Sequence, residues 1–438
     1  MKTTCTTLLH SALIVTQDNQ RRIIEDGGIA VKQGRIAGIG TWAEMQHWQA
    51  EKLLNLGNML VMPGLINAHT HVSMTFLRGL ADDLPLMEWL TKHIFPVEAR
   101  LTPEIVRIAS LLGFAEMLRT GTTSCIDMYL FEHAVLQAAE QAGIRCLGGE
   151  VAFTFPSAAC ACWQDSLART RDIAQQYKNH ERVSVAVCPH SVYTTNTALL
   201  SAARDLAEEL DLALHIHLAE TPEETALSLA LHKLRPLAYA DSLGLLSPRT
   251  IAAHLVDTTP EERLLLAQRG LSAVHNPSSN MKLASGISPL PDMLAQGVQT
   301  ALGTDGAASN NRLNMFTEMS RTALLHKVHS RDAATLPAQS VLDLATLGGA
   351  HAMQQPRLGR LALDAPADLI ALDLNEPNLQ PLYHPVSHIV YAATGMEVRL
   401  SMVGGEVLYN NGVFSRLDYP ALLQEVADIR RWVLKIQA

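Results

Sequence analysis

At 438 residues the chain is longer than one ordinary compact domain and matches a barrel of roughly 250 residues or more with a second module attached. The composition, 48% hydrophobic and 18% charged with no low-complexity tract, argues for an ordered globular protein rather than a disordered one. Its 34 basic against 43 acidic residues leave a formal charge of −9 and no Lys/Arg stripe, which disfavours a nucleic-acid partner held through phosphates.

Residues 8–15 are predicted as a strand rather than the core of a signal peptide. His10 interrupts the apolar run, and no small-residue cleavage pattern follows before Gln17 and Asp18. Alternating apolar and polar residues at 12–15, 28–31 and 36–39, with a turn at 33–35, predict a small helix-poor β unit over the first sixty residues. The same texture returns at 368–373 and 398–407, with Gly404 and Gly405 as the turn. Neither end has enough strands to stand alone, so residues 1–60 and 362–415 are expected to combine into one β-sandwich domain, followed by a helical tail over 416–438.

Between them, over 61–361, short apolar runs alternate with longer helix-period segments, the pattern of βα units around a parallel sheet. Eight runs are legible, at 60–68, 123–128, 144–151, 183–189, 212–218, 250–255, 271–275 and 298–304. Eight is the number that closes a (β/α)8 TIM-type barrel. The helices are visible too: over 104–119, Ile105, Ile108, Leu112, Ala115 and Leu118 share one face, and Gly121 follows as a stop.

Barrel enzymes place their chemistry at the C-terminal ends of the strands. Read in order, those ends carry His69 and His71, Tyr129, Glu150, His190, His217 with Glu220, His254, His275 with Asn276, and Asp305. Asn and Asp alone would be ordinary turn residues. Five runs ending in histidine are not.

His69 and His71 lie one residue apart on an extended segment, so both rings project to one side. An isolated His-x-His is more often a hydrogen-bonded pair than a metal site. Here a second pair, His215 and His217, ends another run, and Asp305 ends a third. Imidazoles with one carboxylate suit zinc, and accommodate iron or manganese as well. Such an ion lowers the pKa of water toward ~7, which favours hydrolysis at neutral pH. Glu220 lies three residues beyond His217. That spacing suits a proton shuttle beside the ion, against the alternative of a first-turn acid on the helix after Pro222.

These residues form a recognisable set. The chain resembles the amidohydrolase superfamily, in the branch of methylthioadenosine/S-adenosylhomocysteine deaminases with their adenosine-deaminating and triazine-chlorohydrolase relatives. The resemblance is carried by Pro63-Gly-Leu-Ile-Asn-Ala-His-Thr-His71, Glu88-Trp-Leu90, Phe95-Pro-Val-Glu98, Pro189-His-Ser191, His215-Ile-His-Leu-Ala-Glu220, Ala253-His254, His275-Asn-Pro-Ser-Ser-Asn280 and Leu302-Gly-Thr-Asp-Gly-Ala-Ala-Ser-Asn-Asn311. It implies that His69, His71, His217 and Asp305 bind one zinc ion per subunit. It also implies that Glu220 shuttles protons, that His254 orients the hydrolytic water and that Asp305 acts as base as well as ligand. The binuclear branch uses a lysine from the fourth strand, and the run 183–189 has none.

For the substrate, the resemblance implies a nucleoside whose ribose hydroxyls meet Glu98, with His190 in contact and Trp89 lining the pocket. The reaction is then hydrolytic removal of the 6-amino group of an adenine nucleoside: 5′-methylthioadenosine, adenosine or S-adenosylhomocysteine. Aminofutalosine deamination, triazine hydrolysis and a metal-stabilised scaffold without turnover are the rival readings. One departure concerns the 5′ tail. Arginines expected after the third strand for the homocysteine carboxylate are missing, Glu150 stands at the aligned position, and a buried acid there would repel that carboxylate. A homo-oligomer is also implied by the resemblance. No apolar run reaches the ~18 residues of a membrane span. The six cysteines, at 5, 125, 146, 160, 162 and 188, lack thiolate-zinc spacing, so a reduced, cytoplasmic protein without a membrane partner is expected.

Overall fold

The computed structural model describes residues 3–84 and 86–437. The chain opens with β1 (Thr3–Val15), β2 (Ile23–Lys32), β3 (Arg35–Thr41), β4 (Trp48–Asn55) and β5 (Met59–Pro63). Eight parallel strands follow: β6 (Leu65–Thr70), β7 (Thr122–Tyr129), β8 (Arg145–Ala152), β9 (Val183–Pro189), β10 (Ala213–Leu218), β11 (Thr250–His254), β12 (Ser272–His275) and β13 (Gln299–Leu302). The last strands, β14 (Leu369–Asp373), β15 (Val398–Val403), β16 (Glu406–Asn410) and β17 (Val413–Phe414), return to the first group.

The two chain ends merge, as anticipated, into one nine-stranded sheet of order β17-β16-β15-β14-β5-β1-β2-β3. β1 is long enough to pair with β4 along its first half and with β5 near its end. One core of Leu9, Ile29, Val61, Leu369 and Met402 joins strands from both ends, so the two segments bury it together.

β6 to β13 are neighbours in sequence order and form the barrel. Small and branched residues, among them Ile66, Ile126, Ala186, Ile251 and Ala301, fill its interior as one cluster. The seam between β13 and β6 is closed by side chains and backbone together. Thr304 N donates to Asn67 Oδ1 at 2.9 Å, and Asp305 N donates to His69 O at 2.9 Å. A Cβ on Gly303 would fall 2.7 Å from the backbone nitrogen of His69, so glycine permits the approach that sets Asp305 beside His69.

The apolar run 60–68 proves to be two strands in two sheets. β5 belongs to the terminal sheet and β6 opens the barrel, with Gly64 between them. A Cβ at Gly64 would lie 2.0 Å from Thr123 Oγ1 on β7, so the crossing requires glycine. The two units are also pinned by a buried ion pair, Arg145 Nε to Asp368 Oδ2 at 2.5 Å. Helix Pro103–Arg119 starts at Thr102, whose side chain accepts from Ile105 N. It is buried on more than the expected face, because helix Tyr419–Gln437 covers its far side with Leu422, Ile429 and Val433. No helix among the described residues is long and apolar enough to cross a membrane, and all six cysteines are free.

Candidate metal centre and active site

The strand period of two carries His69, His71, His217, His254 and Asp305 to one end of the barrel, where they meet. His254 and Asp305 take left-handed backbone conformations, φ 76° and 61°, as do the rim residues Ala219 and Leu255. Such conformations cost of order 1–3 kcal/mol at a non-glycine residue and concentrate at functional sites.

Nε2 of His71 lies 3.3 Å from Nε2 of His217 and 3.2 Å from Asp305 Oδ1, and Nε2 of His69 lies 3.4 Å from the same oxygen. The far side of two rings is committed to backbone. His71 Nδ1 donates to Met128 O at 2.6 Å, and His217 Nδ1 donates to His190 O at 2.8 Å. In the neutral rings Nε2 of both is then a lone-pair site. Those lone pairs and a carboxylate oxygen converge with no donor between them, while buried His69 Nε2 has no hydrogen-bond partner. A cation resolves the conflict. Three imidazole nitrogens and one carboxylate oxygen are a donor set that fits zinc.

Burial pushes His69 down to about 4 and His217 well below its ordinary value, so both stay in the neutral, ligating form. For His71 burial acts the same way, but the hydrogen bond and charge of Asp305 outweigh it and push the ring up to about 9. A proton and a metal ion therefore compete for its Nε2. Burial would raise Asp305, yet the rings of His69 and His71 facing it hold its carboxyl well below the usual range. Asp305 Oδ2 is closed off by two hydroxyls, Ser279 at 2.6 Å and Ser309 at 2.7 Å, and Oδ1 accepts from Gly306 N at 2.8 Å.

Glu220 is buried beside this cluster, its Oε1 3.9 Å from His254 Nε2. Burial raises its carboxyl, partly opposed by His254, so it holds a proton more readily than a surface glutamate does. His254 Nδ1 donates to Asn280 Oδ1 at 2.9 Å, which turns Nε2 toward Glu220.

A cavity opens onto the cluster, lined by His71, His190, His217, Glu220, His254 and Asp305. Trp89, Leu90, Phe95, Val151 and Phe153 form its apolar wall, with Glu98 among them. Glu98 is held by Tyr129, whose hydroxyl donates to Oε1 at 2.5 Å, and burial raises its carboxyl. His190 is tied through Nδ1 to Thr194 Oγ1 at 2.8 Å, and burial first, then the neighbouring histidines, push it down to about 3, so the ring is neutral. The structure thus brings Trp89, Glu98, His190, Glu220, His254 and Asp305 to one cavity with the metal-ligand candidates.

Three rim residues stand elsewhere. Glu150 accepts from the backbone nitrogens of Phe131 and Glu132, each at 3.0 Å, at the start of helix Glu132–Ala142. Its carboxyl does not line the cavity, so the expected repulsion of a charged 5′ tail by Glu150 does not arise: the backbone nitrogens at the helix start take up its oxygens. His275 faces His326, Nε2 to Nε2 at 3.3 Å, away from the cluster. His215 shares a side with His217 but sits one strand repeat deeper, and its Nε2 meets His69 Nδ1 at 2.9 Å. It orients the His69 ring instead of joining the cluster. Tyr129, Asn280, Ser279 and Ser309 also support the site, and only Tyr129 was marked by its place at a run end.

A model of the amidohydrolase family matches residues 60–408. A protein of Desulfovibrio desulfuricans named 5-methylthioadenosine/S-adenosylhomocysteine deaminase is 60% identical over 430 residues, covering 98% of each chain. A 5′-deoxyadenosine deaminase of Methanothermobacter thermautotrophicus is 41% identical over 399 residues, 90% of this chain and 92% of that one. Among solved structures, an adenosine deaminase from Xanthomonas campestris with bound zinc superposes with a TM-score of 0.97 at 38% identity, covering 99% of this chain and 100% of the other.

Proposed function

The chain belongs to the amidohydrolase family and is a hydrolase of C–N bonds, and from that premise we propose that it removes the 6-amino group of adenine nucleosides with an uncharged 5′ substituent. The observation that carries this reading is the cavity itself, which joins the metal-ligand candidates His71, His217 and Asp305 with Glu220 and the Tyr129-braced Glu98.

We assign His69, His71, His217 and Asp305 as the ligands of one zinc ion, a donor set that also accepts iron or manganese. When bound, the ion supplies Lewis acidity that makes water a competent nucleophile at neutral pH. Glu220 moves the protons, from the water to the ring nitrogen beside C6 and then to the departing amine, while a C6–O bond forms and the C6–N bond breaks. Its raised carboxyl makes it a stronger proton acceptor than Asp305, whose oxygens are already occupied. His254, fixed by Asn280, orients the water through Nε2. Ammonia and an inosine-type nucleoside leave.

Glu98 accepts from the ribose hydroxyls, His190 meets the nucleoside as a neutral imidazole, and Trp89 covers the base or sugar. The preference for an uncharged tail rests on the wall. Among the described residues no Lys or Arg side chain lines this cavity, so a homocysteine carboxylate would find no cation there. Methylthioadenosine, 5′-deoxyadenosine and adenosine fit that wall. The buried free cysteines support an enzyme of a reducing compartment such as the cytoplasm.

The test is an ultraviolet deamination assay on methylthioadenosine, 5′-deoxyadenosine, adenosine, S-adenosylhomocysteine and aminofutalosine, paired with metal analysis. Turnover of the first three with a larger kcat/KM than S-adenosylhomocysteine is expected. No turnover of any adenine nucleoside by metal-loaded protein refutes the function. A preference for S-adenosylhomocysteine refutes the tail assignment.

A further inference from the structure

Glu318 is fully buried, lies outside the cavity, and has no part in the assignments above. It sits in the first turn of helix Met315–Ser330, beneath two short helices that follow β12 and β13, Pro277–Lys282 and Ala307–Asn310. Its Oε1 accepts from Ser278 Oγ and from Asn310 Nδ2, the latter at 3.0 Å, and its Oε2 accepts from Ser278 N at 3.2 Å. Ser278 and Asn310 are the immediate chain neighbours of Ser279 and Ser309, whose hydroxyls close Asp305 Oδ2.

Two carboxylates therefore bridge the same two loops at successive residues. Asp305 holds 279 and 309 from the cavity side, and Glu318 holds 278 and 310 from the core side. At the outer end the loops have a second tie, Lys282 Nζ donating to Ala308 O at 2.9 Å, but at the buried end Glu318 joins them. Arg321 Nη1 adds a donor to Ser278 Oγ at 2.5 Å, which fixes the hydroxyl between the guanidinium and the carboxylate.

We propose that Glu318 is a positioning residue for the reaction, clamping the β12 and β13 loops so that Ser279 and Ser309 hold the Asp305 carboxylate in its ligating orientation. The inference rests on Asp305 being a ligand of the proposed centre. Direct hydrogen-bond partners of a metal ligand, here Ser279 and Ser309, are worth about 10–100-fold in metal affinity or activity, and Glu318 acts through them. Gln at 318 keeps the volume, but whichever way its amide turns, its NH2 faces a donor, either Ser278 N or Asn310 Nδ2, so the clamp loses at least one of its bonds without a cavity.

The experiment compares wild type, Glu318→Gln, Ser279→Ala, Ser309→Ala and the double variant Glu318→Gln/Ser279→Ala in zinc-loaded full-length protein. The readouts are kcat and KM on methylthioadenosine, zinc affinity by chelator competition, and the thermal midpoint of the metal-free protein. Glu318→Gln is expected to lose at least tenfold in kcat and in zinc affinity with KM changed less than threefold. The double variant should be no worse than about the weaker single, because both act on one carboxylate. Wild-type zinc affinity and kcat in Glu318→Gln overturn the inference. So does a loss that adds in full to that of Ser279→Ala, or a lowered thermal midpoint with zinc affinity unchanged. If Glu318→Gln does not fold, Ser278→Ala, which removes one donor and keeps the buried carboxylate, decides on the same readouts. A wild type that binds zinc but turns over no adenine nucleoside would instead defeat the proposed function, and zinc affinity would still test the clamp.

Discussion

Replacing Glu220 by Gln separates chemistry from architecture. The two carboxyl oxygens of Glu220 accept no hydrogen bond from the described residues. The nearest titratable partner is His254 Nε2 at 3.9 Å, and the backbone nitrogen of Glu220 is held independently by Glu224 Oε2 at 2.7 Å. The amide keeps the volume, removes no protein contact and relieves the burial of an ionisable carboxyl, so the variant should be no less stable than wild type. Zinc content should be unchanged, because the ligand candidates are other residues. What is lost is the group that can both take and give a proton, worth about 10²–10⁴ in rate, or ~2.7–5.5 kcal/mol of transition-state stabilisation. The assay is steady-state deamination of methylthioadenosine with parallel metal analysis and thermal melts, and kcat should fall by that factor while KM stays within a few-fold. A variant with kcat within threefold of wild type would refute the proton-shuttle assignment. So would loss of activity in step with loss of zinc, since that would make Glu220 a ligand.

Removing one partner of the buried Arg145–Asp368 pair by Arg145→Ala should cost about 3–5 kcal/mol in denaturant unfolding, because the Asp368 carboxylate would be left uncompensated between barrel and terminal sheet. A cost below about 1 kcal/mol would show that water reaches the pair. The pH dependence of stability follows from buried groups away from the ligands. Burial pushes Glu150 and Glu318 up to about 7 and Glu224 up to about 8, so from the unfolded carboxyl value up to pH 8 the native state holds protons the unfolded chain has released. Unfolding then releases protons, and stability falls as pH rises, by at most about 1.4 kcal/mol per pH unit for each proton. Burial pushes His326 down to about 4 and His275 well below its ordinary range, which has the opposite sign but ends near pH 6.5, where the unfolded ring is neutral. Denaturant midpoints of the protein should therefore be lower at pH 8.5 than at pH 6.5, and a flat or rising profile would contradict the assigned shifts.

The barrel was legible because it follows from periodicity, and the resemblance to the amidohydrolase superfamily singled out the four ligand candidates His69, His71, His217 and Asp305. A period of two puts His69 with His71 and His215 with His217 on common sides, and the alternation of runs and helices counts eight strands. Periodicity does not say how deep along a strand a side chain sits. His215 obeys the same rule as His217 and still ends one repeat lower, where it meets His69 Nδ1 and stays out of the cluster. Nor does a run end say which way a residue turns. Glu150 stands on the rim, yet the unsatisfied backbone nitrogens at the start of helix Glu132–Ala142 draw its carboxyl away from the cavity. The boundary at Gly64 was hidden for a third reason. β5 and β6 are both buried on both faces, so no polarity change marks the passage from one sheet to the other, and only contact with Thr123 reveals why that residue has no side chain. Ser279 and Ser309 carry no periodic signal, since a hydroxyl is ordinary in any turn. Their importance appears only when two loops far apart in sequence are seen to close on one oxygen of Asp305. The residues that perform the chemistry are thus chemically uncommon and could be read from the chain. Those that aim them are common, and their role depends on contacts made after folding.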